Sequence, residues 1–409
     1  MAALLLAALL SAAPGEAPPR FRAGLELSAQ ALPFGSLYAT ALPLLSWDGG
    51  EGLGLELGAP LRFGERGLRA QDWDERDDFG QLLREFRLGR EADPVYLRAG
   101  ALSAVTLGTG RLLRRYDAGL NPDHHPASAA LTLQAGELRG EAFASDVLGP
   151  RLFALDARWD VGRRLGLGED RLHLGASAAH DAGLAGGASP PATVAVVELD
   201  GTFLRAQPVS AAVVASGGAR AWAPGVGAAA GLLLDAAVRG VALSVQLEAR
   251  WQRDGFRHGF FGPDYELRRF SGVGTAARPL ADERLSPGVS FAGTVQLQGP
   301  RTAEGESPFA LVLSAERFPG GRLDADGAAS LLLGGGKYAL AARGGVTGLF
   351  EDARPWGLLE GRARVGPAFY VVASGGTVFF PEPAAGGPGS TRLRPGVQAS
   401  LGLGMDLAR

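Results

Sequence analysis

Asp123, His124 and His125 place a carboxylate and two imidazoles side by side, a combination that suits zinc. Adjacent histidines rarely ligate one ion, and the flanking Asn121-Pro122-Asp123 is turn chemistry, so a loop is expected there. The acids Asp72, Asp74, Glu75, Asp77 and Asp78 offer enough oxygens for calcium. They lack the glycine and the spaced final glutamate of a calcium loop, and solvated loop acids are expected. Ser128 and Ser145 follow the histidine pair, yet no Gly-x-Ser-x-Gly elbow exists to build a nucleophile. Leu107-Gly108-Thr109-Gly110 and Leu333-Gly334-Gly335-Gly336-Lys337 lack the phosphate-loop frame and read as turns or bulges. With no cysteine, thiol chemistry is excluded. The sequence therefore assigns no catalytic residue and no metal ligand, and neither a cofactor nor an enzyme is expected.

A different chemistry is spread along the chain. Arg22, Glu26, Glu56, Arg62, Arg98, Asp156, Arg158, Asp160, Glu248, Arg250, Arg362 and Arg364 all fall on the polar phase of alternating runs. Mixed charges projecting from a wall at that spacing select solutes by field and size when the wall encloses water. Salt-bridged, the same residues would fill and stiffen a narrow lumen, and both readings stay open at this point.

The elements that carry these charges have a period of two. Val397, Ala399, Leu401, Leu403, Met405 and Leu407 alternate with Gln398, Ser400, Gly402, Gly404 and Asp406, the pattern of a strand with one oily and one wet face. The pattern recurs at Phe21–Ala31, Leu53–Phe63, Val241–Trp251 and Val289–Leu297, and in shorter stretches between them, including 328–348 and 357–380. Soluble strands cluster near about 5–6 residues, whereas membrane-barrel strands need about 9–11, and the clearest runs match the longer class. Aromatic residues sit at run ends, as at Phe21, Phe63, Trp251 and Trp356, where interfacial girdles place them. The fold class expected is all-β: one closed antiparallel transmembrane barrel of about 16 strands, with 14 to 18 allowed.

Composition agrees. Glycine contributes 62 of 409 residues with no collagen period, and the net charge of -3 gives no reason to expect a nucleic-acid partner. Residues 1–17, with the apolar stretch Met1–Leu10 and small residues after it, read as a signal peptide, and residues 18–409 as a single barrel domain. One segment departs from the rhythm. Over 71–90, Phe79, Leu82, Leu83 and Phe86 follow the acid cluster at helical spacing. A short amphipathic helix acting as lid or plug fits, and a polar loop leading into another strand fits equally.

With these residues assembled, the chain resembles the Gram-negative outer-membrane β-barrel class in its broad, porin-like sense. Leu107-Gly108-Thr109-Gly110, Arg114-Arg115-Tyr116-Asp117, Asn121-Pro122-Asp123-His124-His125 and Ser145-Asp146-Val147-Leu148-Gly149-Pro150 look like a stretch of uncharacterised porin-like proteins. The resemblance implies an exported integral protein whose partners are the outer-membrane lipid bilayer and small hydrophilic solutes, with the polar-phase charges lining the passage. The alternative is a structural or surface-interaction barrel with a filled lumen. Oligomeric state is not legible.

Overall fold

A segment that alternates oily and wet side chains cannot satisfy its own backbone; it must pair laterally, and here each run pairs with its sequence neighbour. The computed structural model describes residues 20–32, 36–50, 52–120, 125–183, 191–269, 286–300, 307–351, 353–383 and 391–408. The expected signal peptide over 1–17 and residues 121–124 of the expected histidine loop lie outside them.

The strands are β1 (Arg20–Leu32), β2 (Ser36–Gly50), β3 (Leu53–Gly58), β4 (Leu61–Gly64), β5 (Gly67–Leu68), β6 (Leu83–Leu88), β7 (Val95–Gly100), β8 (Ser128–Ala135), β9 (Leu138–Ala144), β10 (Leu152–Asp160) and β11 (Leu172–Asp181). They continue with β12 (Ala192–Ala206), β13 (Val209–Arg220), β14 (Val226–Val238), β15 (Val241–Arg253), β16 (Gly288–Gln298), β17 (Phe309–Arg317), β18 (Leu323–Leu333), β19 (Tyr338–Leu349), β20 (Arg354–Arg364), β21 (Phe369–Pro383) and β22 (Thr391–Ala408). Apart from the β3–β6 stretch, each pairs antiparallel with the next, and β22 returns to β1 in register from Arg22↔Ala408 to Ala31↔Ala399. The sheet is closed.

β3 and β4 follow one another along β2, and β6 and β5 lie against them in turn, so the wall has 20 strands. That corrects the expected 16. The run 328–348 is a hairpin, β18 and β19, turned at Gly334, Gly335 and Gly336, all with positive φ. The run 357–380 likewise spans β20 and β21. β6 and β9 are too short, and too broken by charge, to register as alternation. The 71–90 segment is no amphipathic helix: it holds 3-10 turns at Ala70–Asp72 and Asp77–Leu82, then enters β6.

Register fixes the two faces. Leu401, Leu247 and Leu313 point outward, 63%, 54% and 53% exposed, with Phe291, Val197 and Leu155 on the same side. A band of exposed aliphatic and aromatic side chains around a closed sheet is stable only against lipid. The architecture is that of a membrane-spanning β-barrel.

The two rims differ. At the rim that holds Arg20 and Ala408 the tightest turn has two residues: Val238 pairs directly with Val241 across Arg239 and Gly240, whose φ values of 51° and 82° suit the twist of a two-residue hairpin. The long segments 65–82, 101–120 and 254–269 leave the opposite rim.

Candidate functional site

Two of those long connections turn inward. Val105 and Tyr116 exchange backbone hydrogen bonds of 3.0 and 2.8 Å, making a small hairpin of the 101–120 segment. The 254–269 segment then docks beside it. Gly259 and Phe261 donate to the carbonyls of Arg111 and Leu112 at 2.7 and 3.0 Å, and Arg114 donates to Phe261 at 3.1 Å. Together they form a plug in the lumen.

The plug has its own apolar core. Leu113, Tyr116, Phe256, Phe260, Phe261 and Tyr265 are buried against Phe143, Leu152, Val194 and Val196 of the wall. In β12, therefore, Ala192, Val194 and Val196 are apolar inward while Ala195, Val197 and Leu199 are apolar outward. The ring of Phe256 lies in a notch made by two facing glycines, Gly218 and Gly227, where an added Cβ would stand 2.5 Å from it. Only a wall without side chains admits the ring there.

Toward the other side the plug is held by charge. Arg111 is paired with Glu248 and lies 3.4 Å from Glu198, which also accepts from Thr109 at 2.5 Å. Arg114 reaches Asp326 at 3.3 Å and Thr294 at 3.2 Å; Arg115 pairs with Asp326 and donates to Ser314 at 3.1 Å. Asp117 pairs with Arg343, and Arg257 with Asp324 at 3.1 Å. Burial lowers Arg111 and Arg114 to about 10 and Arg115 to about 9, with neighbouring arginines adding to the effect. All three stay charged at neutral pH. Burial, then the adjacent acids Glu266 and Asp181, push the Tyr116 and Tyr265 phenols well above their ordinary value, so they act as donors: Tyr116 to Glu266 and Tyr265 to Asp181, each at 2.5 Å. Burial first, then Arg250 and Arg111, hold His258 down to about 3, hence neutral.

The charges picked from the sequence all fall on the lumen side by register, in separate groups. Glu248 and Arg250 join Glu316 and the plug, with Arg250 to Glu316 at 2.7 Å. Asp156 accepts from Ser177 at 2.5 Å, and Arg158 holds Asp200 at 2.8 Å. Arg362 and Arg364 share Asp406 at 2.7 and 3.2 Å, and Arg362 stacks 3.6 Å from the centre of Tyr370. Arg62 donates to Gln30 at 2.9 Å and lies 2.9 Å from Asp72. Arg98 stands opposite Ala130, Arg22 opposite Ser46, Glu26 opposite Gly404, and Glu56 opposite Glu85.

Two expectations need correction. Asp72, Asp77 and Asp78 are not solvated loop acids but buried. Burial alone would raise Asp72; His125, Arg62 and Arg69 override it and bring it to about 2. The plug is built from 101–120 and 254–269, not from 71–90. Sequence reasoning missed the anchors Arg111, Arg114, Arg115 and Asp117. Their signal was there: Arg114-Arg115-Tyr116-Asp117 sits in a connection too long for a hairpin turn.

No protein-family model matches the chain, and no curated protein matches it by sequence. Among solved structures it is similar to OccK11 (OpdR) of Pseudomonas aeruginosa, at 13% identity and TM-score 0.36, covering 96% of each chain. It is also similar to the outer membrane protein OprD of that organism, at 9% identity and TM-score 0.36, covering 96% of this chain and 94% of that one. Against CdiB from Acinetobacter baumannii the identity is 8% and the TM-score 0.30, with 96% of this chain spanning 60% of that one. The barrel itself rests on the closing register between β1 and β22.

Proposed function

We propose that this chain is an outer-membrane channel that passively passes small hydrophilic solutes along a path beside the plug. The observation that carries the reading is the asymmetry of the lumen. The plug leans by its apolar core on the β9–β14 side and is tied by arginines to β15–β19. The remaining sector presents Ser28, Thr40, Ser374, Ser400, Gly376 and Gly402 inward, interspersed with the larger Tyr38, Leu42 and Tyr370. Between the plug residues Ser103 and Ala104 and the wall at Gln296, Ser330, Arg343 and Glu360 lies a cavity of about 550 Å³ lined mostly by alanine, leucine and valine, with amide, hydroxyl and charge set among them. Those polar groups replace part of a solute's hydration shell, and charges of both signs make the path a filter by size and field. Within this reading Arg22, Glu26, Glu56, Arg62, Arg98, Asp156, Arg158, Glu248, Arg250, Arg362 and Arg364 line the passage or brace it, and no residue has a catalytic role.

A filled-lumen structural barrel is the second reading, and the paired plug arginines favour it. Liposome swelling separates the two. Vesicles holding the folded barrel should swell in isotonic solutions of small sugars and amino acids faster than empty vesicles. Equal rates for every solute would leave the structural reading standing.

A further inference from the structure

At the rim that holds Arg20 and Ala408, β10 ends on Asp160, whose register partner across the hairpin is His173 of β11. The connecting turn brings Asp170 beside them, and the ligand atoms of Asp160, Asp170 and His173 all lie within 4.8 Å of one another. We propose that these three side chains bind one divalent transition-metal ion of the zinc type at the mouth of the lumen.

Ligand chemistry points there first. One imidazole and two carboxylates, with water completing the set, are a donor combination that zinc accepts. Two ligand atoms each about 2.0–2.2 Å from a tetrahedral ion stand roughly 3.4 Å apart. His173 Nε2 and Asp170 Oδ1 are 3.7 Å apart, too far for a hydrogen bond and close to the span an ion bridges.

The histidine is also aimed from outside the cluster. Its Nδ1 lies 2.9 Å from Asp200 Oδ1, on the register partner of His173 in β12. Arg158 approaches the same nitrogen at 3.2 Å, but its guanidinium is engaged with both oxygens of Asp200. Nδ1–H donated to Asp200 leaves the lone pair on Nε2, facing Asp170. A carboxylate that orients the far nitrogen of an imidazole is the arrangement that metal-bound histidines adopt.

Field and access agree. The cavity that opens on the cluster measures about 510 Å³, and its lining holds six carboxylates against four arginines. A concave surface with that surplus concentrates cations. One oxygen of Asp170 is 3.6 Å from Arg205, which leaves the other for the ion.

The test is calorimetric titration of zinc chloride, and separately calcium chloride, into the detergent-solubilised full chain carrying no histidine tag. One saturable zinc ion per chain is expected, with calcium far weaker. His173→Ala should abolish the site. Asp170→Asn, at a side chain largely in solvent, should weaken it by at least tenfold without touching the fold, which heat-modifiable gel migration reads independently. Asp200→Asn, remote from the ion, should weaken it by about 10–100-fold. Absence of saturable zinc binding, zinc binding unchanged by Asp170→Asn, or calcium bound as tightly as zinc would each overturn the proposal.

Discussion

The ring of Phe256 occupies the place where a side chain on Gly218 would begin: a Cβ there would stand 2.5 Å from the ring. This contact ties the plug to its wall by shape alone and makes the wall residue a control point for the lumen. Gly218→Val should force Phe256 out of its notch at a cost of about 1–3 kcal/mol from overpacking. The measurement is unitary current in a planar bilayer. Larger or noisier openings than wild type are expected, from a barrel that keeps its heat-modifiable migration.

Glu248 and Arg111 are both buried, with side chains 1% and 3% exposed. Removing one partner of a buried pair leaves the other charge uncompensated, at about 3–5 kcal/mol. Glu248→Leu should therefore loosen the plug, although Glu198 lies near the same arginine. Limited trypsin digestion reads this directly: cleavage after Arg114 or Arg115 should accelerate in the variant, while the wall strands stay protected.

Asp72 sets an acid limit on the 70–82 segment. Its carboxyl is lowered from 3.8 to about 2 in the folded chain. A depressed acid stabilises the fold above its unfolded pKa, and that stability is lost as pH falls through the folded value. The segment should stay docked at pH 5 and detach between about pH 4 and 2. Trp73 packs 5.8 Å from Phe79, so its emission, isolated by difference against Trp73→Phe, is the probe. Asp72→Asn should remove the acid transition from that signal. A midpoint near pH 6 would contradict the assignment.

Neighbouring positions on β22 test the facing of the wall. Leu401 points outward and Ser400 inward, where its hydroxyl lies 2.7 Å from that of Ser374. Leu401→Arg should destabilise the barrel by about 2–4 kcal/mol, the penalty for a guanidinium at mid-membrane depth. Ser400→Arg should be tolerated and reduce current instead. Denaturant titration from lipid vesicles distinguishes them.

Much of this architecture was legible in the residues because its cause is local. In β22 and β15 one face meets lipid and the other is polar, and the period of two follows directly. Strand number was less legible for an equally physical reason. Gly334, Gly335 and Gly336 turn the chain without interrupting the small-residue texture of β18 and β19, so a hairpin passes for one run. The plug was hidden more deeply. Val194 and Val196 face a protein core inside the lumen and Val197 faces outward, so alternation vanishes where the plug is seated. Arg111 and Glu248 are 137 positions apart, and no local pattern reports such a pair.

Single-channel recording from the purified, folded chain tests the central claim most directly. A path beside the plug predicts discrete, ohmic current steps in symmetric salt, recurring at one unit size. A barrel with correct heat-modifiable migration, inserted into the bilayer yet electrically silent, would contradict it.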